Sequence, residues 1–270
     1  MAENGGEPDD DANIRRGCRM LLKACLNGSR AVGDHPLLPV TPGELAADAS
    51  AVRLAGAQAV HVHPRDAGGR ESLAAGDIGA AVAAIRAASP GLPVGVSTGL
   101  WITGGDVPGR LDAVRAWAGL AAGARPDFAS VNLSEPGFGD LALALLEAGI
   151  GVEAGVWSPQ DAVELAGSGL AERVLRVLVE VIDPPPGEAL PRAAAVIGRL
   201  DDLGLSAPRL LHGEGRAAWP LLAEAARRNL ATRIGLEDTL LLPDSRPAPG
   251  NAALVRLARA GFTPHPPHTT

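Results

Sequence analysis

The run Ala57-Gln58-Ala59-Val60-His61-Val62-His63-Pro64-Arg65-Asp66 reads as a short strand with chemistry at its end. Residues at i and i+2 of a strand share a face, so His61 and His63 aim two imidazoles at one point. Pro64 has no N–H to donate and closes the ladder. Two same-facing histidines at a strand end supply half of a divalent-metal site. The alternative is a pair of ordinary strand-end histidines bonded to their neighbours.

The same unit recurs on both sides of this run. Upstream, Arg19 to Leu26 reads as a strand, followed by a long loop, Asn27 to Thr41. A loop of that length inside a domain is usually functional. Thr41-Pro42-Gly43-Glu44 has the form of a helix start, with Thr as N-cap, Pro at N1 and Glu at N3. That helix runs to about Gly56 and sets Leu45, Ala49 and Val52 on one face. Downstream, strands are expected at 93–97, 127–132, 151–155, 174–181, 209–212 and 232–236. Helices are expected at 77–88, 108–122, 139–148, 158–166, 189–203, 217–229 and 249–260. Strict alternation argues for α/β architecture with parallel strands. Eight strand–helix pairs in roughly 250 residues match a single-domain (β/α)8 TIM barrel over 18–270. A doubly wound open sheet is the alternative, weakened because no GxGxxG follows the first strand.

Composition narrows the class. Of the 270 residues, 46% are hydrophobic, while aromatics are 3% and Tyr is absent, so the core must come from Ala, Leu, Val and Ile. A net charge of -7 argues against nucleic acid as a partner. Residues 1–17, with acidic residues clustered between Glu7 and Asp11, read as a flexible acidic leader. Cys18 and Cys25 make no disulfide framework. Arg15-Arg16 before Met20 to Leu26 is not a secretion signal, because the apolar run is short and Lys23 interrupts it. No run of about 18 apolar residues exists, so no membrane span is expected and the cytoplasm is the simplest compartment.

In a barrel every strand's C-terminal end opens at one mouth, where active sites sit. Polar residues are dense at those ends: Lys23, Asn27, His61, His63, Ser97, Thr98, Ser130, Asn132, Glu153, His212, Glu214, Arg216, Arg233, Glu237 and Asp238. Glu237 is the best third ligand for a two-histidine, one-carboxylate set with open positions, an arrangement of catalytic zinc sites. Its alternative is a charge stabilising a helix N-terminus. Arg233 and Asp238 form a pair that is structural or catalytic. Gly213-Glu214-Gly215 before a helix is either a weak phosphate cradle or, better, a plain tight turn.

Several motifs then occur in order: Leu38-Pro39-Val40-Thr41-Pro42, His61-Val62-His63-Pro64-Arg65-Asp66, Ser97-Thr98-Gly99, Ser130-Val131-Asn132 and Gly235-Leu236-Glu237-Asp238-Thr239. With them, from about Met20 to Ala260, the chain resembles the β-keto acid cleavage enzymes, the group that includes 3-keto-5-aminohexanoate cleavage enzyme. The resemblance implies a (β/α)8 barrel assembled as a homo-oligomer, a dimer or tetramer. It implies joining a β-keto acid to acetyl-CoA as co-substrate, yielding acetoacetate and a new CoA thioester. It also implies one Zn2+ per chain on His61, His63 and Glu237, a catalytic base at Asp238 with Arg233 as its partner, and a contact from Ser97 to substrate or intermediate. Thr98, Gly99, Ser130 and Asn132 fall among the substrate-binding positions, Ser130 where the aminohexanoate enzyme has Thr. Where that enzyme carries a Glu that meets the substrate's ammonium, this chain has Arg30. An Arg there favours a substrate with an acidic or neutral tail, such as a β-keto dicarboxylate. Lys23 stands where small uncharged residues are usual, with no role assigned. The competing readings are a zinc-dependent barrel hydrolase or aldolase, and a barrel that binds its ligand without turnover. His35, His265 and His268 receive no role.

Overall fold

The structure, a computed structural model, describes residues 20–261. The leader expected over residues 1–17, Cys18, and His265 and His268 lie outside the described residues.

Eight strands alternate with eight α-helices: β1 (Leu22–Cys25), α1 (Pro42–Ala55), β2 (Ala59–Val62), α2 (Ala75–Ala88), β3 (Val94–Ser97), α3 (Val107–Arg115), β4 (Phe128–Asn132), α4 (Phe138–Glu147), β5 (Gly151–Val156), α5 (Pro159–Gly167), β6 (Arg176–Val181), α6 (Ala189–Asp202), β7 (Arg209–Gly213), α7 (Ala218–Arg228), β8 (Thr232–Ile234) and α8 (Asn251–Gly261). The strands pair in parallel in the order β7-β6-β5-β4-β3-β2-β1-β8. A parallel bridge between Leu210 and Ala231 closes the ring. The (β/α)8 barrel is therefore the observed fold, and the open-sheet alternative falls.

Local chemistry sets the element boundaries. Thr41 and Glu44 form a reciprocal capping box at the start of α1, and Ser158 with Asp161 does the same for α5. The third helix stops at Arg115 and continues as a single 3-10 turn, Ala116–Gly119, short of the expected residue 122. The last strand ends at Ile234 and not at Leu236. Beyond it the chain turns, with Asp238 N donating to Gly235 O at 2.9 Å. That turn carries Glu237 and Asp238 toward the barrel axis.

Alternate residues of each strand face opposite ways. Ala24, Val60, Val62, Val94, Val96, Ala129, Val131, Val152 and Val177 face outward into one apolar layer with Leu45, Ile78, Leu145, Leu165 and Leu200 of the helices. The inward set is different: Lys23, His61, Ser97, Glu153, Glu180, His212 and Arg233 are all buried. Lys23 pairs across the barrel with Glu153, which also holds Arg176 at 3.2 Å. Both cations lie over the Phe128 ring, at 5.4 and 5.8 Å from its centroid. Gly95 makes room for that ring, since a Cβ there would meet it at 1.9 Å. Lys23 and Glu153 are thus not mouth residues, as their strand-end placement suggested; they lie inside the strands as part of an ionic layer filling the barrel.

Candidate active site

A cavity of about 480 Å³ opens at the C-terminal mouth. His61, His63, Ser97, Ser130, Asn132, Arg233 and Glu237 line it, and so does Arg30.

His61 projects from β2, while His63 lies one residue past the strand's end. Asn27 extends the ladder to it: His63 N donates to Asn27 Oδ1, and Asn27 Nδ2 donates to His63 O, both at 2.9 Å. One side chain so mimics a backbone partner and keeps both imidazoles on one face. Ligand atoms of His61, His63 and Glu237 lie within 4.8 Å of one another. His61 Nδ1 and Glu237 Oε2 are buried with no hydrogen-bond partner. Burial first, then the electrostatic influence of the neighbouring His63 ring and the charges of Lys23 and Arg233, hold the His61 imidazole well below its ordinary pKa. It stays neutral, the form that ligates a metal. The donor types, their closeness and the two orphaned atoms fit a divalent cation. Gly28, at φ 55, lets Glu237 close in, because a Cβ there would stand 2.4 Å from Glu237 Cγ. No helix begins at Glu237; the next one starts at Asn251, so a helix-end role for this carboxylate falls.

Arg233 is buried and gathers three carboxylates: Asp238 at 2.9 Å, Glu237 at 2.9 Å and Glu214 at 3.3 Å. Burial pushes the Asp238 carboxyl up; Arg233 opposes this, and the charges of Glu237 and Glu214 reinforce it. Asp238 has no exposed surface and lies behind the cavity wall, whereas Glu214 is half-buried and on it. Burial raises the Glu214 carboxyl to about 7 against the pull of Arg233. His212 sits inside the barrel, 3.4 Å from Glu180 and 3.8 Å from Asp238, and burial and Arg233 lower it to about 4.

The remaining expected residues divide. Ser97 Oγ accepts from Gly99 N at 3.2 Å. Asn132 Nδ2 donates to Glu135 Oε1 at 3.0 Å, and Glu135 is held in turn by the buried Arg110. Thr98 is turned off the wall, donating to Ser130 O at 2.6 Å, and Gly99 packs against the Trp101 ring. Arg30 reaches the cavity while donating to the carbonyls of Leu236 and Glu237, both at 3.1 Å. Gly213-Glu214-Gly215 is a turn: Gly215 opens a short 3-10 helix and donates to Asp238 O at 2.7 Å.

Sequence reasoning missed Glu71, Trp101, Trp157 and Glu180, and saw Asp183 only as a strand-end candidate that forms no second metal set with His212. Glu71 Oε1 lies 2.5 Å from His63 Nδ1, and Glu71 Oε2 accepts from Trp101 Nε1 at 3.1 Å. Burial raises the Glu71 carboxyl, but the His63 and Trp101 bonds and the Arg65 charge outweigh it and hold the group low. Trp101, Trp157, Glu180 and Asp183 line the cavity. Asp183 adopts φ 39, a left-handed conformation rare outside Gly, Asn and Asp.

A parallel eight-stranded barrel with a candidate metal site and a buried Arg–carboxylate cluster at its C-terminal mouth has the layout of a barrel enzyme. The chain belongs to the beta-keto acid cleavage enzyme family, whose family model matches residues 19–186 and 210–263. In fold it is similar to ObcA in a binary complex with oxaloacetate and to ObcA in a ternary complex with C4-CoA adduct and oxalate. Each superposes with a TM-score of 0.66 at 19% identity, covering 83% of this chain and 63% of ObcA. The chain thus spans about 63% of ObcA's length. It is also similar to 3-dehydroquinate dehydratase from Geobacillus kaustophilus HTA426, with a TM-score of 0.61 at 11% identity, covering 91% of each chain. At these identities the likeness is one of fold. No helix among the described residues is long and apolar enough to cross a membrane.

Proposed function

We propose that the chain is a zinc-dependent β-keto acid cleavage enzyme that exchanges acyl groups between a β-keto acid and acetyl-CoA, giving acetoacetate and a new acyl-CoA. The observation that carries the reading is the orphaned pair His61 Nδ1 and Glu237 Oε2, beside His63 and next to the Arg233–Asp238 pair, in a chain of this family. The ObcA complexes support it from a distance: the oxaloacetate bound in one of them is itself a β-keto dicarboxylate.

His61, His63 and Glu237 hold the metal. Zinc on this donor set supplies Lewis-acid stabilisation of the negative charge that develops when the keto acid loses its C2 proton. Asp238 takes that proton, and Arg233 fixes Asp238 and Glu237 relative to each other. A carboxylate lifted toward neutrality suits a carbon acid acidified in this way. Glu214 is the alternative base, because it lines the cavity while Asp238 stands behind it. Ser97, Ser130 and Asn132 offer polar contacts along the wall, and Arg30 meets an acidic or neutral tail. Assembly as a homo-dimer or tetramer accompanies this reading and is checked by light scattering.

The test is a product assay. Zinc-loaded protein is incubated with acetyl-CoA and β-keto acids bearing acidic, neutral and cationic tails, and acetoacetate and new thioesters are detected by mass. Acetoacetate from the acidic or neutral acids is expected. Its absence from every acid, with zinc bound, returns the chain to the hydrolase or aldolase reading. R30E is expected to shift preference toward cationic tails by about 10-fold, equivalent to about 1.4 kcal/mol of discrimination. An unchanged ranking removes Arg30 from tail recognition.

A further inference from the structure

We infer that Glu71 is the positioning residue that fixes the tautomer of His63 and so sets which imidazole nitrogen is free to bind the metal, while its second oxygen is taken by the indole of Trp101 at the cavity rim. The metal half of this inference rests on the function proposed above; the tautomer half does not.

The argument is a count of donors and acceptors. Glu71 stands between two rings that take different oxygens: His63 Nδ1 lies 2.5 Å from Oε1, and Trp101 Nε1 lies 3.1 Å from Oε2. The indole N–H only donates. An ionised carboxylate only accepts, so it satisfies the indole with one oxygen and requires a proton on His63 Nδ1 with the other. That leaves the lone pair on His63 Nε2, the nitrogen 3.8 Å from Glu237 Oε2 and on the side of the donor cluster. Metal-bound histidines are commonly oriented by such a carboxylate on the other nitrogen. The unusual feature is that the second oxygen is already claimed by a tryptophan.

Trp101 is also held in place. Its ring stacks near His63, with centroids 6.3 Å apart and an interplanar angle of 23°. Gly99 gives it close passage, since a Cβ there would stand 2.2 Å from the ring.

Glutamine at position 71 breaks the symmetry of the bridge. It has one acceptor and one donor facing two partners. The indole proton cannot leave its nitrogen, whereas the imidazole proton can move between nitrogens. In E71Q the amide carbonyl therefore stays with Trp101 and the amide N–H faces His63 Nδ1, which must accept. The proton moves to Nε2 and covers the metal-facing lone pair. Removing the indole donor with W101F frees the glutamine to rotate its carbonyl toward His63 and restores the original tautomer.

Four proteins test this: wild type, E71Q, W101F and E71Q/W101F. Histidine 15N shifts of the metal-free proteins report the His63 tautomer, and competition with a chelator reports affinity for zinc alone. Wild type and W101F are expected to hold the proton on Nδ1, E71Q to hold it on Nε2, and the double variant to return it to Nδ1. Zinc affinity is expected to fall about 10- to 100-fold in E71Q, to stay near wild type in W101F, and to recover most of the loss in the double variant. A double variant no better than E71Q, or an E71Q protein that keeps the Nδ1 proton, overturns the inference. Tautomers that switch as described in a wild-type protein that binds no zinc uphold the positioning role and overturn the metal reading.

Discussion

The two faces of the barrel wall obey different rules. Outward, between strands and helices, Leu45, Ile78 and Leu165 are fully buried among other apolar side chains. Inward, the wall is charged: Lys23 with Glu153 and Arg176 below, Arg233 with its three carboxylates above. The outer layer draws stability from apolar area removed from water. The inner set gains little, because desolvating ions offsets most of their attraction. The molecule thus separates what holds it together from what lets it act, and a single strand carries both sets on alternate residues.

That separation is open to experiment. D238N is expected to lower kcat/KM by about 10²- to 10⁴-fold, as loss of a general base does, with the melting temperature held or raised because a costly buried carboxylate is gone. The steady-state assay with thermal melts checks both halves, and a comparable loss in E214Q with none in D238N makes Glu214 the base. K23M leaves Glu153 with one cation in the barrel interior and is expected to cost about 3–5 kcal/mol. K23M/E153Q, neutralising both ends, is expected to recover at least half of that in urea titrations. L165A is expected to cost about 2–5 kcal/mol, while kcat per folded molecule stays unchanged; a fall in kcat would show that the outer layer is coupled to the site.

The smallest effect lies at the rim of the outer layer. Asp48 accepts from Asn251 Nδ2 at 2.6 Å, where α1 meets α8. Burial lifts its carboxyl from 3.8 to about 6, against the Asn251 bond. The folded state therefore binds this proton more tightly than the unfolded chain. The stability this provides is present below about pH 4 and is lost as pH rises through about 6. D48N removes the loss, and is expected to exceed the parent by roughly 3 kcal/mol at pH 7 and by less than about 1 kcal/mol at pH 4. Denaturant titrations at the two pH values check the sign.

The alternation of apolar runs and turn residues made the barrel legible, because each strand–helix unit declares itself locally. The cluster of His61, His63 and Glu237 was legible for the same reason: the two histidines are two residues apart, and Glu237 ends the last strand unit. What stayed hidden depends on closure of the ring. Lys23 meets Glu153 across 130 positions of sequence, and no local pattern announces that pairing. Glu71 sits in an isolated bridge with Arg65 and Trp101 in a single 3-10 turn, both between the main elements, where no long period fixes side-chain direction. Asp238 was legible as a partner of Arg233, but its place behind the cavity wall follows from the turn at Gly235, which shortens β8.

The loop after β1 has one further consequence. Arg65 clamps its base, donating to Gly28 O at 3.0 Å and Arg30 O at 2.6 Å, and Gly28 is packed against Glu237. Val32 and Asp34 beyond that clamp are exposed, and Asp34 lines the cavity. The stretch 31–34 is accordingly a replaceable cassette on a fixed mount. A combinatorial library confined to Ala31, Val32 and Asp34, with Gly33 kept for its φ of 100, varies the entrance of the pocket while the groups that do the chemistry keep their places, which makes this short segment the natural starting point for redirecting the barrel to new substrates.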